Sequence, residues 1–348
     1  MNRTVFVLAS LALATGACKK SEQAAPKAEP TTAPAAPDQG PATPPVVDAE
    51  AAAAAKNLAD IKAALDRNQA AFGKEAARWT PELEAKVVAL RDGTYQTADD
   101  AIVAILASEH RTPGNADRDQ YRHPRETLAF VGITPTSNVV ELGAGAGWYT
   151  ELLAPLLAKG GSLTAVGPDP AGPADKMSTV YGKRLEKMLT KSPGLFGAVK
   201  RVAITPPGAL TLGPAGSADV VIAFREMHNW VEDKNLDAYL AAINAVLKDG
   251  GTFALEEHRS KPDTKVEDAA LLGYLPEAWV IAQVTAAGFD LAGQSEINAN
   301  PKDTKDYKEG VWALPPALRN GEVDRAKYVE IGESDRMTLK FTKRPAGK

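Results

Sequence analysis

Three glycines at two-residue spacing, in Val139-Val-Glu-Leu-Gly143-Ala-Gly145-Ala-Gly147-Trp-Tyr-Thr150, constrain this chain more than any other feature. A β-branched run leads in and an apolar helical pattern follows, so the backbone passes from strand to helix through a turn almost without side chains. Glycine serves such a turn because it tolerates positive φ and lets a ligand approach the main chain closely. A dinucleotide fingerprint would need Gly-x-Gly-x-x-Gly/Ala. Counted from Gly143 its third position is Trp148, and counted from Gly145 it is Thr150, so that fingerprint fails. Glu141 instead sets an acid at the strand end beside the turn.

Short apolar runs alternate with helical patterns on both sides of this turn. Strands are predicted at 139–142, 162–166, 200–204, 219–224, 252–257, 289–297 and 337–342. Helices are predicted after Gly147 and at 176–189, 236–247 and 276–287, with Lys248-Asp-Gly-Gly251 as a helix stop. This order implies an α/β, doubly wound, mostly parallel sheet whose ligands sit at the carboxyl ends of the strands. With 348 residues, 44% of them apolar, the chain can bury a sizeable core. A net charge of −4 gives no footprint for nucleic acid, and none is expected as a partner. The single cysteine excludes a disulfide framework and a multi-cysteine zinc site, and four histidines leave little for a histidine-rich metal centre.

The N-terminus has a different character. An apolar run over 5–14 is too short to span a bilayer and suits an export signal. It ends Ala14-Thr-Gly-Ala-Cys18, which resembles a bacterial lipoprotein lipobox, with Thr15 where leucine is commoner. The resemblance implies lipidation at Cys18; an ordinary cleaved signal with an incidental cysteine is the alternative. Residues 1–18 are therefore expected to be a lipoprotein signal peptide and 19–48, rich in Pro and Ala, a disordered tether. A helical extension follows over 49–96: one helix at 49–73, and another announced by Thr80-Pro81-Glu82. A catalytic-type domain is expected over 97–348, its first helix running from Thr97 to Leu106. On this reading the chain is exported and held in the cell envelope by a lipid anchor in the membrane.

Acid-x-Gly-x-Gly-x-Gly is the first motif of class I S-adenosylmethionine-dependent methyltransferases, and the turn resembles it. Further segments extend the likeness: Asp117-Arg-Asp-Gln-Tyr-Arg-His-Pro124, Phe224-Arg-Glu-Met-His-Asn-Trp230, Glu256-Glu-His-Arg259 and Gly332-Glu-Ser-Asp-Arg-Met337. Together they resemble a family of bacterial predicted methyltransferases, some exported, from about residue 97 onward. The resemblance implies a Rossmann-like seven-stranded sheet and S-adenosylmethionine as cofactor, without naming an acceptor. It places Glu141, Gly143, Gly145, Gly147, Trp148, Tyr149 and Asp169 around the cofactor. Helix-face packing is the competing role for Trp148 and Tyr149. One departure stands out: the acid that usually ends the second strand and binds the ribose is Gly167 here, so that either Asp169, two residues later, replaces it or the ribose is held otherwise.

His228 and His258 follow the fourth and fifth strands, where an acceptor would lie, and are the candidate catalytic residues. A histidine there suits general-base work because its pKa lies near neutrality. No resident metal is assigned. The alternatives are a metal held by the pair with Glu226, Glu256 or Glu257, and histidines that merely bond neighbouring backbone. His123 is placed in the same pocket and His110 in a solvated loop. Two functional classes stay open, a methyltransferase and a non-catalytic envelope lipoprotein that keeps the fold.

Overall fold

A computed structural model describes residues 46–207 and 210–345. The export signal, Cys18 and nearly all of the tether lie outside the described residues. The chain divides into two units, Met1–Ala49 and Glu50–Lys348, and the fold proper lies in the second.

Three helices come first: α1 (Val46–Arg78), α2 (Pro81–Asp92) and α3 (Ala98–Leu106). Local chemistry sets their starts. The Thr80 hydroxyl accepts from the Leu83 N–H, with Pro81 in the first turn, while Thr97 and Asp100 cap each other's backbone N–H groups. Next come α4 (Asp119–Arg122), α5 (Pro124–Val131), β1 (Asn138–Leu142), α6 (Thr150–Leu157) and β2 (Ser162–Pro168). After these lie α7 (Met177–Leu189), α8 (Pro193–Phe196), β3 (Lys200–Ile204), β4 (Ala218–Phe224), α9 (Met227–Glu232), α10 (Leu236–Val246) and β5 (Leu247–His258). The chain continues with α11 (Val266–Leu271), α12 (Glu277–Ala286), β6 (Phe289–Ser295), α13 (Arg325–Ile331) and β7 (Arg336–Lys343).

The seven strands form one sheet in the order β3-β2-β1-β4-β5-β7-β6. The first five are parallel, and β7 runs antiparallel between β5 and β6. Side chains alternate across each strand, so both faces must be covered. Val139, Val220 and Ile222 join a core with α2, α3, α5 and α6; Val140, Val221 and Ala223 join another with α9, α10 and α12. This is the Rossmann-like arrangement expected of class I methyltransferases, with an N-terminal helical region.

Two sequence expectations differ from what is seen. Lys248–Gly251 does not stop a helix: α10 ends at Val246, and these residues bulge out of β5 between the Ala218–Leu247 and Val220–Thr252 pairs. His110 is not in a solvated loop. It is fully buried, with Nε2 2.8 Å from the Glu151 carbonyl oxygen. Around it Lys191 pairs with Glu151 and Glu75, which ties α1 to the loop before α8.

A second buried ionic cluster stands at the carboxyl edge of the sheet. Residues 296–335, between β6 and β7, bring Glu333 to Arg118 (2.7 Å), Arg122 (3.0 Å) and Arg336 (2.8 Å). Arg336 also reaches Glu256 at 3.1 Å, and Glu256 takes Arg225 at 2.9 Å. The network joins β4, β5, β7 and the α4 region under one set of charges.

Candidate active site

The glycine turn joins β1 to α6 at the carboxyl edge. Gly143 has φ +74° and Gly145 φ +59°, left-handed values that favour glycine. A Cβ on Gly143 would lie 2.3 Å from the Glu226 carboxyl carbon, whereas one on Gly145 would meet nothing nearer than 3.7 Å. The first glycine is therefore required by close approach and the second by conformation alone. Gly147 packs against Met188 of α7.

Glu141 ends β1 inside the α6 face. It accepts a 2.6 Å hydrogen bond from the Thr150 hydroxyl, and burial pushes its carboxyl up to about 8. The Thr150 hydrogen bond and the nearby Arg225 charge oppose this rise without overcoming it. A small recess of about 30 Å³ lies here, lined by Glu141, Gly143, Trp148, Tyr149, Phe224 and Arg225. That is far below the ~300–1,000 Å³ of typical ligand pockets. Trp148 and Tyr149 pack edge-on against each other, and Tyr149 against Phe224, in the core, and both also line this recess.

S-adenosylmethionine carries a sulfonium, an ammonium and a carboxylate, so a fitting site needs charges of both signs and a close-approach backbone. Gly143, Glu226 and Arg225 supply these, and the residues fit. The β2 edge is different. Gly167 stands in the strand, and the Arg201 guanidinium donates to its carbonyl at 3.2 Å and to that of Pro168 at 2.6 Å. Asp169 follows the strand end and accepts from the Ala171 N–H at 2.8 Å, which shapes its own loop.

A second cluster at this edge is built from α9, the end of β5 and the segment before β7. His228 is not in an open loop but on the first turn of α9, buried, while His258 is the last residue of β5. Their rings lie 5.5 Å apart. Glu257 fixes both. Its Oε1 accepts from the His258 N–H (2.8 Å) and lies 3.0 Å from His228 Nδ1, while Oε2 accepts from the His228 N–H at 3.1 Å. Because a carboxylate only accepts, Nδ1 of His228 carries the proton and Nε2 is left as the basic nitrogen. Burial alone would lower the His228 pKa, but Glu257 outweighs it and the value rises above 6.5. Burial drives His258 well below 6.5, so it stays neutral, with Nδ1 2.5 Å from the Ser334 hydroxyl.

His228, Glu257 and His258 bring donor atoms within 4.8 Å of one another, the one such grouping among the described residues that suits a metal ion. Both Glu257 oxygens are already engaged by N–H groups, which favours a positioning role. His123 pairs with Asn298 at 3.3 Å. Sequence reasoning gave Glu257 only a metal-holding role and missed Ser334, although the Gly332–Met337 segment was visible as a motif.

A family model described as a methyltransferase domain matches residues 115–295, just over half of the chain. The chain belongs to this methyltransferase family. It is an S-adenosylmethionine-dependent methyltransferase of class I, and its acceptor is unspecified. No curated protein matches it. Solved structures of similar fold include an S-adenosylmethionine-dependent methyltransferase from Aquifex aeolicus, at 13% identity and TM-score 0.43, covering 65% of this chain and 93% of that one. Another from Methanosarcina mazei shows 13% identity and TM-score 0.41, covering 62% and 97%. An arsenic(III) S-adenosylmethionine methyltransferase from Chlamydomonas reinhardtii shows 18% identity and TM-score 0.39, covering 62% and 66%.

The turn gives a direct test of where this methyltransferase holds its cofactor. Valine at position 145 would have to adopt a left-handed conformation costing about 1–2 kcal/mol, in a space otherwise open. Gly145→Val is expected to keep the fold and abolish S-adenosylmethionine binding in calorimetry. Equal binding by wild type and variant would move the cofactor away from this turn.

Proposed function

We propose that this methyltransferase acts in the cell envelope, on an oxygen or nitrogen nucleophile whose proton His228 removes. The observation that carries the reading is the contact between His228 Nδ1 and Glu257, which leaves Nε2 as the base at the edge where an acceptor would lie. Bound S-adenosylmethionine supplies a methyl group on a sulfonium. The protein's part is to orient the acceptor, take its proton on His228 Nε2, and hold the imidazolium against Glu257. Neutral His258, with Trp312 at 6.2 Å from the His228 ring, shapes the space around that nitrogen. The acceptor, small molecule or protein side chain, is the partner in the reaction.

Location in the envelope rests on the lipobox-like Ala14–Cys18 segment and the Pro/Ala-rich tether behind it. No helix among the described residues is long and apolar enough to cross a membrane. Attachment through acyl chains on Cys18 would add about 0.8 kcal/mol per buried methylene, and more than one chain makes the anchor stable. Cys18→Ser is expected to turn a membrane-fraction protein into a soluble or uncleaved one. A wild type found soluble in the cytoplasm with its N-terminus intact would remove this proposal and leave the chemistry standing.

A further inference from the structure

The cofactor brings net positive charge, and the first two strands present no free acid at the sheet edge to meet it. At the β2 edge stands Gly167, covered by the Arg201 guanidinium. At the end of β1, Glu141 is buried and tied to the Thr150 hydroxyl. A third carboxylate takes a different place. Glu226, in the residue pair that joins β4 to α9, lies against the first glycine of the turn, its carboxyl carbon 2.3 Å from the position of a Cβ on Gly143.

Its neighbouring cations are turned elsewhere. Arg225, with φ +63°, directs its guanidinium to Glu256, and His228 pairs with Glu257. Among the described residues no cation lies within ion-pairing distance of Glu226. Burial pushes its carboxyl up to about 7 against the opposing charges of His228 and Arg225, neither of which contacts it directly.

We propose that Glu226 is the acid that recognises a cationic group of the cofactor, a role that Glu141, buried and tied to Thr150, leaves open. The proposal rests on the cofactor lying at the glycine turn. Two cationic groups have the required chemistry, the ammonium of the methionine part and the sulfonium. Glutamine in place of Glu226 keeps the shape and removes only the charge.

Calorimetry on the full chain tests it with three ligands. S-adenosylmethionine has both cations, S-adenosylhomocysteine has only the ammonium, and 5′-methylthioadenosine has neither. Glu226→Gln is expected to weaken S-adenosylmethionine about tenfold or more, as loss of one charge-assisted contact does, and to leave 5′-methylthioadenosine unchanged. Unchanged 5′-methylthioadenosine binding also shows that the variant is folded. S-adenosylhomocysteine weakening in step with S-adenosylmethionine would assign the ammonium; S-adenosylhomocysteine holding its affinity would assign the sulfonium. Unchanged S-adenosylmethionine affinity, or equal losses for S-adenosylmethionine and 5′-methylthioadenosine, would overturn the proposal. If the wild type binds none of the three, the placement of the cofactor at this turn falls with it.

Discussion

His228→Ala is expected to lower turnover about 10²-fold or more, the usual contribution of a positioned general base. S-adenosylmethionine affinity should change little, while the melting temperature falls because a buried imidazole and its pairing with Glu257 are lost, Glu257 keeping two backbone N–H donors. The assay follows S-adenosylhomocysteine release with hydroxyl and amine acceptors. His258→Ala is the matched control. A metal centre would instead show both variants losing bound metal together. The pH profile adds an independent reading. His228 works as a base only when unprotonated, and its pKa is raised, so activity should climb as pH passes through a value above 6.5. Glu257→Gln removes the charge responsible and should move that limb to lower pH. The same pairing acts on stability: it supports the fold below the unfolded pKa and its contribution fades as pH rises through the folded one. Near-full turnover by His228→Ala would leave positioning alone as the account of catalysis.

Glu333→Ala should be the most damaging single change to stability. The carboxylate is buried, as are Arg122 and Arg336, and it also receives the partly exposed Arg118. Its removal strands three guanidinium groups, of which only Arg336 keeps another carboxylate, Glu256. Breaking a buried pair in this way costs about 3–5 kcal/mol, because an unpaired charge remains in a poorly solvated place. Chemical denaturation should show a lower midpoint with an unchanged slope. A midpoint within the scatter of surface substitutions would mean that water reaches this cluster freely.

The sheet was legible because its strands are short apolar runs between clear stops. The glycine turn was legible because close approach at Gly143 and positive φ at Gly145 both call for glycine at that spacing. Strand ends were less so: β5 begins at Leu247 because a bulge carries Lys248–Gly251, and a bulge has no signature distinct from a helix stop. α9 was hidden for another reason. Met227–Glu232 is too short for periodicity, and tertiary packing of Met227 and Trp230 holds it. Within the site, His228 and His258 declared themselves by following strands. Glu257 did not, since its role depends on two backbone N–H groups and a ring brought together by folding. Ser334 comes from 76 residues beyond the histidine it meets, a distance over which sequence pattern says nothing. His110 shows the opposite failure: polar neighbours in sequence suggested solvent, while Glu151 and Lys191 enclose it.

The position of β7 has a consequence for the order of assembly. It pairs with both β5 and β6, which precede it in the chain and do not touch each other in the sheet. During synthesis, strands β1 to β5 can register as each emerges, but the far side of the sheet has no partner until β7 arrives. Arg336, its first residue, is also the counter-charge of Glu256. Long-range pairing of this kind is slow. The far side of the sheet and the buried Glu256–Arg336 pair therefore both wait on this one late strand.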